Sequence, residues 1–288
     1  MKILIAPIVP TAIGITCLIC VSLTEVPEKI KTDKDFAYIP AGTCQTGELV
    51  SSFQPFLMLN HEVTNGEYRE FLHYLKIENR LEDLVVATPD TNAWNFSEGV
   101  YLEPMAEYYF SHPAYGDYPV VNITAKGAAL YCAWQTEQLR KIHGDKITVK
   151  LPTSPQWIYA ASGGLERNQY SWSGMGLRDE KGNFRANYYT VGEESITRAE
   201  DGKFTVSPET SHSLIIDGNF YMAQAISYKP NGYELYNMCG NVAELVGDGS
   251  TAKGGDWYSP GYDIRIHSSK KVDKAVPFVG FRPVIVFE

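Results

Sequence analysis

The stretch Asn237-Met-Cys-Gly-Asn-Val-Ala-Glu244 decides how the chain is read. Within eight residues it sets amide side chains, a glycine and a carboxylate, so side-chain and main-chain oxygens of Asn237, Gly240, Val242 and Glu244 can converge on a hard cation such as calcium. Read without a cation, Asn237 and Asn241 cap turns and Glu244 pairs with a surface base. Both readings make the segment a turn inside a long irregular second half rich in Gly, Asn, Asp and Tyr. That half carries too many Trp and Tyr residues for a disordered tail, so something must hold its loops in place.

Working outward toward the N-terminus, three helices announce themselves. Thr64 with Glu67 forms a capping box, and Tyr68, Phe71, Leu72 and Leu75 follow on one face. Thr124 caps a second helix, whose Ala125, Ala128, Ala129 and Cys132 recur at helical spacing and permit close packing. Thr153 and Gln156 repeat the capping signal, Pro155 sits in the first turn where its missing amide costs nothing, and Gly163-Gly164 ends the helix. Strand-like runs fall at 36–39, 146–151, 213–216 and 284–287, and regular structure is expected to be sparse after Gly163. No internal repeat is present, which disfavours solenoids and propellers.

Composition bounds the rest. The 288 residues are 44% hydrophobic and 20% charged, with 19 Tyr, 12 Phe and 5 Trp, enough to bury one α+β core. A formal charge of -9 and no basic stripe exclude nucleic acid as a partner. Met1-Lys2 and the apolar run from Ile3 to Val21 have the pattern of an export signal. Pro7, Pro10 and Gly14 interrupt that run and favour a cleaved signal or loose anchor over a membrane span. We therefore expect residues 1–25 to be a signal or anchor, 26–35 a linker and 36–288 the folded domain. The protein is accordingly expected outside the cytoplasm: periplasmic, outer-membrane-associated or at the cell surface, with membrane association through the N-terminus. Lipidation at Cys17 or Cys20 is a weaker expectation, because Thr16 and Ile19 are poorly suited to precede a lipidated cysteine. Cys44, Cys132 and Cys239 remain, an odd set that excludes a disulfide scaffold.

An ordered series of short motifs then stands out: Phe36-Ala-Tyr-Ile-Pro-Ala-Gly42, Glu62-Val-Thr-Asn65, Pro119-Val-Val-Asn122, Tyr131-Cys-Ala-Trp134, Leu151-Pro-Thr153, Gly240-Asn-Val242, Gly254-Gly255 and Gly280-Phe-Arg282. Together, over about 250 residues, they resemble the formylglycine-generating enzyme (sulfatase-modifying factor) family. The resemblance implies an α+β fold with little regular secondary structure, related to the C-type lectin fold. It implies one calcium segment at Asn237, Gly240, Val242 and Glu244, and a second at Asn187, Tyr188, Asp217 and Asn219. Calcium is thus the expected cofactor.

In that family two cysteines after the Gly-Gly motif bind copper, and soft Cu(I) prefers sulfur. Counting from Gly254-Gly255, the matching positions are Ser259 and Ile264, or Asp263 with one gap. None supplies a thiolate, so copper is not expected. The aromatic pair usual around the calcium glutamate is Ala243 and Leu245 here, and Gln156 and Ile158 stand where acidic residues are usual. An iron-dependent branch uses histidines held partly in an extra helical domain, for which this chain has no room. His61, His73, His112, His143, His212 and His267 show no metal-site spacing. Ser259, Asp263 and His267 share a polar loop, and that alone does not make a catalytic triad.

Three functions follow as expectations. The first is a non-catalytic extracytoplasmic binding or structural module, like the gliding- and secretion-associated lipoproteins that resemble this family, with envelope proteins as partners. The second is a formylglycine-generating-like or non-heme-iron oxidoreductase acting on a thiol substrate. The third is a lectin-like protein that binds a peptide or glycan in the former catalytic cleft through Trp257, Tyr258, Tyr262, Arg265 and Arg282. For Trp257 and Arg282, packing in the core near the chain's end is the competing reading, whereas Tyr258 and Tyr262 are expected at the surface.

Overall fold

The computed structural model describes residues 34–96, 102–190, 194–198, 203–208, 219 and 221–287. The expected signal, most of the linker, and the strand expected at 213–216 lie outside the described residues. Among those described, no helix is long and apolar enough to cross a membrane.

The chain enters as β1 (Phe36–Ile39), the hairpin β2 (Gly42–Thr46) and β3 (Leu49–Phe53), and β4 (Phe56–Leu59). Helices α1 (Asn65–Ile77), α2 (Leu81–Ala87), α3 (Glu103–Tyr108) and α4 (Ala125–His143) follow, then β5 (Ile147–Lys150) and α5 (Ser154–Ser162). After Gly163 there are short strands and turns: β6 (Glu194–Arg198), β7 (Phe204–Pro208), β8 (Ala243–Val246), β9 (Thr251–Lys253), β10 (Ser269–Lys271), β11 (Val279–Gly280) and β12 (Val284–Phe287).

Each expected cap forms. Thr64 Oγ1 accepts from Glu67 N at 3.2 Å while the Glu67 carboxylate accepts from Thr64 N at 2.7 Å, so two orphan amides are satisfied reciprocally. Thr124 Oγ1 accepts from Gly127 N at 3.0 Å, and Thr153 and Gln156 exchange the same pair of bonds at α5. Gly163 ends α5 in the left-handed conformation, φ 60°. The buried stripe of α4 departs from expectation: Gly127, Ala128, Tyr131 and Cys132 face inward, and Ala129 is exposed. Tyr131 sets that rotation, because its ring stacks on Tyr68 at 5.7 Å and meets Phe71 and Phe281 edge-on.

Two four-stranded sheets frame the core, in the orders β1-β4-β12-β5 and β10-β9-β8-β11. The first is antiparallel and joins the N-terminal strand to the last one through β4, with Val284 opposite Met58. In the second, β11 runs parallel to β8, with Gly280 opposite Glu244. That pairing brings β8, within the irregular half, against the chain's end, and there the polar centre forms.

Removing the α5 cap with Thr153→Ala is expected to cost about 1 kcal/mol. It should appear as a lowered urea midpoint at unchanged slope, and an unmoved midpoint would contradict the capping role.

Candidate functional site

Glu244 lies on β8 and is 1% exposed, surrounded by donors. Arg282 Nε sits 3.1 Å from both of its oxygens, Arg282 Nη2 donates to Oε1 at 2.7 Å, and Trp157 Nε1 on α5 donates to Oε2 at 2.7 Å. The guanidinium is itself wholly buried, and Nη1 and Nη2 also donate to Leu59 O at 3.1 Å and Tyr236 O at 2.7 Å. One side chain thus ties β4, β8 and the loop before Asn237 together. A bidentate, fully hydrogen-bonded pair is the arrangement in which buried charge is tolerable.

A second carboxylate, Glu62, is buried beside the pair. Its oxygens accept from Asn241 Nδ2 at 2.9 Å and Asn237 Nδ2 at 3.1 Å. One guanidinium cannot neutralise two buried carboxylates. Loss of water, joined by the field of Glu244, outweighs the pull of Arg282 and raises the Glu62 pKa to about 8. Glu62 therefore holds its proton to a higher pH than an ordinary carboxylate.

The same amides fasten the irregular half. Asn237 Nδ2 also donates to Gln224 O and Ala225 O, and Asn241 Oδ1 accepts from Ala223 N at 2.8 Å. Asn187 Nδ2 donates to Tyr221 O at 2.6 Å. Asn237 and Asn241 hold φ of 53° and 62°, a region asparagine enters more readily than most residues. Gly240, φ 79°, is obligatory in a stronger sense, since a Cβ there would lie 2.1 Å from Asn187 O.

The expected calcium ligands are brought together in part. Asn237 Oδ1 is buried with no hydrogen-bond partner and suits a hard cation. Glu244 does not: Arg282 and Trp157 occupy its carboxylate, and a cation would have to displace one of them. Of the second set, Asn187 packs against Gly240, while Tyr188 is partly buried near the Phe184 ring. Asn219 Nδ2 donates to the Tyr228 hydroxyl at 3.1 Å. Asp217 lies outside the described residues.

The five candidate ligand-binding residues do not form one cleft. Arg282 is 0% exposed and belongs to the core pair, and Trp257 is buried with Nε1 donating to Pro277 O at 3.2 Å. Both expectations of a cleft position are corrected by burial. Tyr258 and Tyr262 are 47% and 69% exposed. Arg265 lies over the Tyr262 ring and donates to Gln169 Oε1 at 3.3 Å.

With this geometry established, the family can be given. The model of the sulfatase-modifying factor enzyme 1-like domain (FGE-sulfatase) matches residues 23–286. The chain belongs to this family. It is similar to the formylglycine-generating enzyme of Streptomyces coelicolor, 26% identical over 229 residues, which is 73% of this chain and 60% of that one. It is likewise similar to the inactive C-alpha-formylglycine-generating enzyme 2 of Bos taurus, 27% identical over 209 residues, 66% of this chain and 59% of that one. The chain therefore spans about three fifths of the length of these relatives. PvdO from Pseudomonas aeruginosa shares the fold, with a TM-score of 0.53 at 17% identity, covering 87% of this chain and 93% of that chain.

Ser259 and Ile264, two of the positions counted from Gly254-Gly255, are both buried in this FGE-sulfatase domain. Ser259 is 6% exposed, and its main-chain N–H donates to Asp256 O at 2.9 Å. Asp256 is wholly buried and paired with Lys270 at 2.5 Å; burial raises its pKa, opposed by that lysine. Ile264 is 0% exposed. Gly255, φ 66°, lets the chain pass over it, since a Cβ would lie 2.7 Å from Ile264 Cα. Among the described residues the thiols of Cys44, Cys132 and Cys239 are free and buried. Burial pushes Cys132 and Cys239 up to about 12, so both remain protonated thiols.

Sequence reading missed Glu62, Asn241 and Trp157 as members of the polar centre. A signal was present: Glu62 lies between the apolar run Phe56–Leu59 and Val63, where a charge needs a buried partner.

Two outcomes follow. The native state holds a proton on Glu62 that the unfolded chain releases above its ordinary value of 4.5. Stability from this group is full below that pH and is lost as pH rises toward about 8, with a slope of up to about 1.4 kcal/mol per unit. Glu62→Gln should flatten that decline in pH-dependent urea unfolding, and parallel wild-type and variant profiles would contradict it. Arg282→Met strands Glu244 and should cost about 3–5 kcal/mol. Arg282→Met with Glu244→Gln should recover part of this, and simple additivity would contradict the pairing.

Proposed function

We propose that this chain is a non-catalytic extracytoplasmic binding or structural module built on the formylglycine-generating-enzyme fold, stabilised by calcium and acting in a bacterial envelope assembly. The observation that carries the reading is the pair Ser259 and Ile264. A buried serine and a wholly buried isoleucine offer no sulfur to Cu(I). The described cysteines are buried, Cys44 and Cys239 in the same apolar cluster as Ile264, and burial holds Cys132 and Cys239 as thiols. The bovine relative, inactive by its own name, is a precedent for a family member without the activity.

The apolar run from Ile3 to Val21 supports export to the periplasm, outer membrane or cell surface, and with it envelope proteins as partners. The exposed rings of Tyr258 and Tyr262 support a contact face for protein or glycan on that side. Calcium enters as a native-state ligand. Asn237 Oδ1 with main-chain oxygens of Gly240 and Val242 would hold one ion, and Asp217 with Asn187 and the Tyr188 carbonyl a second. Its contribution would be structural, fixing loops that Asn237 and Asn187 already anchor.

The alternative, an oxidoreductase acting on a thiol substrate, is separated by one assay. The full chain, incubated with copper, oxygen and a cysteine-containing peptide, should produce no more trapped aldehyde than peptide and copper alone. Enzyme-dependent aldehyde would overturn the non-catalytic reading. After exhaustive chelation, re-added calcium should raise Tm, by the equivalent of about 2.7 kcal/mol at a hundredfold excess over Kd. An unmoved Tm would remove calcium from the proposal.

A further inference from the structure

Lys253, on β9, is 3% exposed and has no carboxylate partner among the described residues. Its Nζ donates to Ser268 O at 3.0 Å and His267 O at 3.5 Å, and an ammonium has three N–H groups to place. The cross-strand neighbour Glu244 is already taken by Arg282 and Trp157. Burial accordingly holds the lysine below its ordinary pKa. An uncompensated buried cation is costly, and a ligand anion relieves that cost.

Lys253 lines a cleft of about 530 Å³ between the β2–β3 turn and the first turn of α5. Ser154, the first residue of that nine-residue helix, borders the same cleft and adds the positive end of a helix dipole. Asp248 stands on the rim, with its carboxylate turned onto Ser250 N and Oγ at 2.9 and 2.6 Å. A second cleft of about 710 Å³ shares Gly47, Ile158 and His267 with the first, so the two form one groove. Thr43, Cys44 and Gln45 of β2 line it on one side, and Tyr159 and Tyr233 line it on the other. Within the described residues β2 pairs with β3 alone, so its other edge has no strand partner there, and Tyr159 of α5 packs on Gly42 at its start.

A strand edge without a strand partner, an aromatic wall and a cation at one end suit an extended polypeptide that terminates in a carboxylate. We propose that this groove binds the C-terminal end of a partner polypeptide as an added strand on β2, with the terminal carboxylate on the Lys253 ammonium. Ser259 and Ile264 play no part in it, so the proposal stands or falls separately from the non-catalytic reading. It names a partner class that reading leaves open.

The test uses the full chain and an array of random decapeptides, each synthesised with a free and with an amidated C-terminus. Binders should come from the free-acid set, with amidation weakening them at least tenfold and Lys253→Met removing the difference. Equal binding of free and amidated forms overturns the proposal, as does retention of no peptide, or capture of uronic-acid oligosaccharides in place of peptides. The amidation comparison is made on the unaltered protein, so it decides the matter even if Lys253→Met disturbs β9.

Discussion

The fold depends on one buried guanidinium. Arg282 sits where β4, β8 and the loop before Asn237 meet, and its N–H groups are spent on Glu244 and on the carbonyls of Leu59 and Tyr236. Hydrophobic packing alone would not orient the second half of the chain, because its strands are two to four residues long where they meet the core. Directional bonds from fixed donors supply that orientation. The cost is desolvation of two charges, offset when every lone pair and proton is used.

Glu62 extends the constraint. Burial, joined by the field of Glu244, makes it hold its proton to a higher pH than usual, while its oxygens accept from Asn237 and Asn241 and so hold the chain. The loops from Tyr221 to Ala225 gain their order from these amides. Irregular backbone can be as well fixed as a sheet when its polar groups find buried partners.

The helices were legible because their signals are local: Thr64, Thr124 and Thr153 lie within three residues of the amides they cap. Strands at 36–39 and 284–287 were legible for the same reason, as short apolar runs. The stripe of α4 was misplaced toward Ala129 because alanine spacing cannot reveal that Tyr131 stacks on Tyr68, more than sixty residues earlier. The roles of Arg282 and Trp257 were half legible: composition allows an arginine and a tryptophan near the chain's end to face a ligand or the core, and burial chooses the core. Glu244 was read as a ligand for calcium because its partner lies 38 residues away, beyond what local spacing conveys.

On the proposed reading, a fold that once presented two thiolates now presents a buried serine next to the Asp256–Lys270 pair, and an isoleucine sealed beneath Gly255. The scaffold survives that change because its stability resides in the Arg282 centre and not in the corner where the chemistry took place. The most direct measurement is a Cu(I) titration against a competing chelator, run on the wild-type chain and on the Ser259→Cys, Ile264→Cys variant. The account predicts no stoichiometric copper on the wild type and one ion per chain on the variant. One tightly held ion on the wild type would contradict it.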